Sequence, residues 1–177
     1  MGLIEAKTGT HRLVYTSLMI CLILLGTIVF RIPVPMTQGY VHLGDAMIYL
    51  GVMLLGRKQG SAAAALGSAL GDILGGYAFW APWTLAIKFT MAYVTGSIIE
   101  RASQGEHYHK PSGAAATVIT MSSMAAGGLV MCAGYLAAER IMYGSWALAA
   151  ISVPWNIGQF AVGIAVSAAA IKLLERR

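Results

Sequence analysis

Gly39-Tyr40-Val41-His42-Leu43-Gly44-Asp45 is a polar, glycine-bracketed stretch that separates two long apolar runs. It closes a loop begun by Arg31-Ile32-Pro33-Val34-Pro35, and its last residue opens the second run. A carboxylate at the head of an apolar helix must stay near water or find partners inside the protein. Asp72 and Lys88 lie in the apolar runs that follow. The stretch therefore predicts a membrane protein whose helices fold around a small polar site.

Composition agrees. The 177-residue chain is 58% hydrophobic and 11% charged, whereas a soluble domain carries roughly 25% charged residues. The apolar residues concentrate in runs long enough for membrane spans, and the length suits one bundle of about six of them. The expected fold is an all-α integral membrane protein, a six-transmembrane-helix bundle forming a single domain over 1–177. The net charge of +5 does not imply nucleic acid, because the basic residues sit between the runs, where Lys and Arg mark cytoplasmic loops.

The helices are expected at 13–30, 43–55, 61–76, 82–99, 113–138 and 147–174. Pro33 and Pro35 end the first and leave the chain extended. The second spans roughly 20 Å, short of a hydrocarbon core of about 30 Å, so it belongs inside the bundle. Gly56-Arg57-Lys58-Gln59-Gly60 reads as a basic turn. In the third helix, Ala63, Gly67, Gly71 and Gly75 fall four apart, a small-residue stripe for close helix packing. Pro154 is expected to kink the last helix and free carbonyls near Trp155 and Asn156. Cys21 and Cys132 read as buried small hydrophobes.

Basic residues set the orientation. Lys7, Arg12, Arg57, Lys58, Arg101, Lys110, Lys172, Arg176 and Arg177 fall on one side, and only Arg31 and Arg140 on the other. Both termini are therefore expected in the cytoplasm of a multi-pass cell-membrane protein. Asp45, Asp72, Lys88, Asn156 and Gln159 then share the outer half of the bundle, and pairing among Asp45, Asp72 and Lys88 offsets the cost of burying charge.

Each candidate has a plainer reading. Asp45 reads first as a cap of helix 2 and only second as a ligand contact. Asp72 serves equally as a helix lock or a binding group; Lys88 is favoured as functional. Tyr40, Tyr77, Trp80, Trp83 and Trp155 could stack on a flat heteroaromatic ligand or form an interfacial belt, and their company with the polar cluster tips the balance toward a ligand. His42 is a weaker candidate contact. His107-Tyr108-His109 lacks a supporting ligand set, so a solvated loop is expected, with no metal and no cofactor. There is no phosphate-binding G-x-x-x-x-G-K-[ST] and no G-x-S-x-G or H-E-x-x-H.

In combination, Arg31-Ile-Pro-Val-Pro, Gly39-Tyr-Val-His-Leu-Gly-Asp45, Leu55-Gly-Arg-Lys-Gln-Gly60, Gly67-Ser-Ala-Leu-Gly-Asp72 and Thr84-Leu-Ala-Ile-Lys88 resemble the substrate-binding S components of energy-coupling factor (ECF) vitamin transporters. The chain looks most like the hydroxymethylpyrimidine and pyridoxine branch of the riboflavin-transporter-like group. The resemblance implies a six-helix subunit that binds a vitamin near the outer surface and docks on a membrane coupling subunit (T component) driven by two cytoplasmic ATPases. It also implies toppling in the membrane to release substrate. The family's helix 1 tends to carry an Ala-x-x-x-Ala docking stripe; the corresponding positions here are Ser17 and Cys21, small but neither alanine.

The expected function is thus a non-enzymatic binding subunit for uptake of a small vitamin or precursor, with pyrimidine, pyridine and flavin substrates all open. The alternative is a stand-alone secondary transporter or channel using Asp45, Asp72 and Lys88 as an ion relay. The polar groups stop halfway across the bundle and no inverted repeat is apparent, which disfavours it. A membrane-embedded enzyme would need more acid–base or metal groups than converge here.

Overall fold

The computed structural model describes residues 9–36, 39–104 and 113–175. Among them the elements run α1 Gly9–Val29, β1 Arg31–Pro33, β2 Tyr40–His42, α2 Gly44–Leu55, α3 Arg57–Leu74, α4 Ala81–Gln104, α5 Gly113–Tyr143, α6 Trp146–Ile151 and α7 Val153–Glu175. The protein is all-helical apart from one small hairpin. His107, His109 and Lys110 lie outside the described residues, as do Lys7, Arg176 and Arg177.

The extended loop after α1 folds back on itself. Its prolines exclude helix, and Arg31, Ile32 and Pro33 pair antiparallel with His42, Val41 and Tyr40. The expected basic turn 56–60 shrinks to Gly56, whose φ of 79° lies in the left-handed region that glycine adopts without strain. Arg57–Gly60 instead form the first turn of α3, and Gly60 packs directly on the backbone of Val52.

Two boundaries differ with consequence. α5 continues past 138 to Tyr143 and stops at Gly144, φ 70°, which makes Glu139 helical and buried. The last expected helix breaks at Ser152, ahead of Pro154. Pro154 then occupies the first turn of α7, where no N–H is needed, rather than kinking a continuous helix.

Gly9–Val29, Ala114–Tyr143 and Trp146–Leu173, the last crossing the break, are long and apolar enough to span a membrane. Large apolar side chains point outward, such as Leu18, Leu22 and Leu25 on α1 and Leu66, Leu70 and Leu74 on α3. α2 is internal, with Ile48 and Tyr49 fully buried. The stripe on α3 faces α1. A Cβ on Gly71 would sit 2.6 Å from Thr27 and one on Gly67 2.9 Å from Ile23, so glycine sets the helix separation. Cys132 is buried, but Cys21 is exposed on the outer face of α1, contrary to the expectation for it.

Candidate functional site

The start of α2, the end of α3, the start of α4, the end of α5 and the start of α7 meet at one end of the bundle, beneath the hairpin. Every buried charged side chain among the described residues is here: Asp45, Asp72, Lys88 and Glu139.

Asp45 does not cap α2. The N-cap residue is Leu43, and no side chain caps the helix there. The Asp45 carboxylate turns inward instead, 2.5 Å from Lys88 Nζ, with both side chains fully buried. Its other oxygen accepts from Gln159 Nε2 at 2.8 Å. Gln159 Oε1 in turn accepts from the His42 backbone N–H at 2.9 Å. A single amide thus ties the hairpin and α7 to the ion pair between α2 and α4. Gly163 helps, because α7 comes so near α2 that a Cβ there would lie 3.0 Å from that of Asp45. Lys88 Nζ completes its surroundings with Met131 Sδ at 2.8 Å and the Tyr135 ring, 5.5 Å to the centroid.

Asp72 sits in the last turn of α3, and its Oδ1 accepts a hydrogen bond from the Tyr40 hydroxyl. Its Oδ2 has no hydrogen-bond partner among the described residues. Arg31 braces the same corner by donating to the Gly75 carbonyl at 2.9 Å, with its guanidinium 4.5 Å from the centre of the Tyr40 ring and 5.3 Å from that of Tyr77. Burial, then the Asp72 charge, pushes the Tyr40 hydroxyl well above the usual phenol range, so it remains a donor. Burial and the nearby Lys88 charge push His42 down to about 3. Its neutral ring accepts from the Gly44 N–H through Nδ1 at 3.0 Å.

Between hairpin and helices lies a cavity of about 30 Å³, lined among others by Tyr40, His42, Asp72, Trp80, Asn156 and Gln159. Those six expected residues come together. Lys88, expected at the ligand and as a possible partner of Asp72, does not line the cavity; it is enclosed behind the wall and paired to Asp45. Trp83 packs instead against the core around Tyr49 and Met91, and Trp155 is 38% exposed. Neither reaches the cavity.

Sequence reasoning missed Thr84, Tyr135, Glu139 and Ser152 on the same wall. The Ser152 hydroxyl donates to Glu139, and Tyr135 donates to Thr84 at 3.3 Å. Helical spacing held a signal: Tyr135 and Glu139 follow Met131 at intervals of four on the inward face of α5. Among the described residues no group of His, Cys, Asp and Glu could hold a metal ion. Ser17 and Cys21 are exposed on α1, away from this end.

The arrangement can hold a small polar molecule by hydrogen bonds at one end of the bundle. The sequence model described as "ECF-type riboflavin transporter, S component" matches residues 7–176. A protein of Pyrococcus woesei described as "Uncharacterized protein in gap 3'region" is 35% identical over 118 residues, 67% of this chain and 71% of that protein.

Proposed function

Because the chain belongs to the S-component family of ECF-type riboflavin transporters, we propose that it captures a small vitamin or vitamin precursor at the hairpin end of its bundle. Members of the family are membrane substrate-binding subunits of ECF importers, not enzymes. The observation that carries the proposal is that all four buried charged side chains, among the described residues, gather at the hairpin end of the bundle, with Asp72 and Glu139 on the cavity wall and the Asp45–Lys88 pair behind it.

A hydroxymethylpyrimidine- or pyridoxine-like compound is the favoured substrate, with riboflavin the alternative the family description supplies. A cavity of about 30 Å³ has room for roughly one or two waters, so a vitamin ring enters when the hairpin swings away. The anchors to release are Tyr40 on Asp72, Arg31 on Gly75 and His42 on Gln159. The bundle crosses the membrane six times as one domain, with both termini cytoplasmic and the hairpin outside. In a chain free of Cys21 and Cys132, a cysteine at position 58 labels from inside and one at 142 from outside; the reverse pattern would invert the site.

Energy comes from partners: a membrane T component and two cytoplasmic ATPase subunits. The exposed face of α1 with Ser17 and Cys21 is the docking surface, since small residues permit close helix approach in lipid. Changing both to Trp abolishes uptake in cells expressing the complete complex and leaves binding by the isolated chain intact. The deciding experiment is reconstitution of the chain alone in liposomes. It binds its vitamin without ATP and accumulates none; accumulation under a proton or sodium gradient would contradict the proposal.

A further inference from the structure

Gln159 lines the cavity, yet its amide is already engaged inside the protein. Nε2 donates to Asp45 Oδ2 at 2.8 Å and lies 3.8 Å from Met131 Sδ, while Oε1 accepts from the His42 backbone N–H at 2.9 Å. The amide cannot turn over, because a carboxylate offers only acceptors and a backbone N–H only a donor. Its place is set from behind. α7 runs so close to α2 that a Cβ on Gly163, one turn further along, would lie 3.0 Å from that of Asp45. Asp45 is itself fixed by Lys88, both fully buried. The result is a polarised chain in which Lys88 and Gln159 donate to Asp45 and His42 donates to Gln159, each bond strengthening the next. The other hairpin anchors, Tyr40 on Asp72 and Arg31 on Gly75, run to the end of α3. This one runs to α7.

Resting on the reading of the hairpin as the cover of an S component's site, we infer that Gln159 is a positioning residue rather than a ligand contact: its amide registers the closed hairpin against the buried Asp45–Lys88 pair. Hairpin closure then depends on a charge that does not line the cavity, because the Asp45 carboxylate orients the amide that holds His42. Methionine at this position keeps the length and loses both strong bonds. Glutamate separates chemistry from packing. As a carboxylate it meets the Asp45 carboxylate with like charge. With one proton between the two, its O–H donates to Asp45 and its carbonyl oxygen accepts from His42, which rebuilds the original pattern. The titratable groups around it are His42 on β2, Asp45 on α2, Lys88 on α4, and Cys132 and Tyr135 on α5, with Asp72 and Glu139 on the same cavity wall. All of them are present in the wild type, so comparison with it at each pH isolates position 159.

The test measures hydrogen–deuterium exchange of the purified full chain in detergent, without ligand, as protection factors relative to wild type at the same pH. Amides around Met91, fully buried in α4, serve as the internal reference. Gln159→Met lowers protection at Tyr40–His42 by about 10-fold, the worth of one buried hydrogen bond, and leaves the reference amides unchanged. Gln159→Glu lowers it at least as far at pH 9 and regains wild-type protection toward pH 5. Unchanged hairpin protection in Gln159→Met overturns the inference. So does a loss shared equally by the hairpin and the reference amides, which marks a role in stability alone. A hairpin loss in Gln159→Glu that is equal at pH 5 and pH 9 overturns it too, and this series decides even where the methionine variant misfolds. Each of these failures leaves the S-component reading standing. Gradient-driven accumulation of a vitamin by the lone chain defeats the reading itself.

Discussion

Asp45 and Asp72 are the same residue type at the same end of the bundle, and the fold treats them oppositely. Asp45 lies in the first turn of α2, on the favourable side of the helix dipole, with an ammonium and an amide on its two oxygens. Asp72 lies in the last turn of α3, where the dipole opposes it, and one of its oxygens is left without a partner among the described residues. One charge has been used up by the fold. The other is held at a cavity wall, unfinished. In a membrane protein an intramembrane charge is a reasonable first pointer to function, but the pointer sharpens when the count of satisfied atoms separates the two.

The largest effect expected from this contrast is at Lys88. Lys88→Ala leaves Asp45 buried and unpaired, which destabilises by about 3–5 kcal/mol and lowers the melting temperature in detergent with or without ligand. Neutralising both partners, Lys88→Met with Asp45→Leu, recovers most of the loss. A Lys88→Ala chain that melts like wild type would show that the pair does not hold the helices together.

A smaller loss is expected at the α1–α3 seam. Gly71→Leu drives atoms into Thr27, where even a Cβ lies at 2.6 Å, and costs about 1–3 kcal/mol by overpacking. Gly158→Ala is the control, since its Cβ meets nothing within 4 Å, and it is neutral or gains up to about 1 kcal/mol. Equal melting of the two variants would remove close packing as the role of the stripe.

The smallest effect is a pH dependence at the hairpin. His42 has a folded value near 3 against 6.5 in the open chain, from burial first and the Lys88 charge second. The neutral ring is thus what the closed hairpin favours. Its contribution is whole above pH 6.5 and is lost as pH falls toward 3, at no more than about 1.4 kcal/mol per pH unit. The protection factors for hydrogen–deuterium exchange at Tyr40–His42, taken relative to the intrinsic rate at each pH, should fall between pH 7 and 5, and His42→Gln should flatten that slope. An identical slope in the variant would assign the titration elsewhere.

Much of this end was legible in the sequence. The prolines and glycines of 31–44 mark the hairpin region, and the helical runs bring Asp72, Asn156 and Gln159 to one level because chain direction alternates from helix to helix. What stayed hidden depends on side-chain direction. Asp45 looked like a cap because capping is local, while its partners Lys88 and Gln159 stand far along the chain. Sequence offered Lys88 two aspartates and no means to choose between them. Glu139 looked like loop because Glu-Arg commonly ends an apolar run; only the Ser152 hydroxyl, supplied by a helix break that the Pro154 signal placed too late, makes it part of the wall. Cys21 shows the same gap, since apolar surroundings do not say which face meets lipid.

The most direct measurement sets Asp45→Asn beside Asp72→Asn in one detergent, recording for each the melting temperature without ligand and the dissociation constant for the proposed vitamin-like ligand. The account predicts a split. Asp45→Asn strands the Lys88 ammonium and melts several degrees lower, and its surviving folded fraction binds within a few-fold of wild type. Asp72→Asn melts at or above wild type, because a buried charge is gone, and binds about 10–100-fold more weakly. Loss of affinity at Asp45 with none at Asp72 would contradict it, placing the ligand on the ion pair that the structure seals.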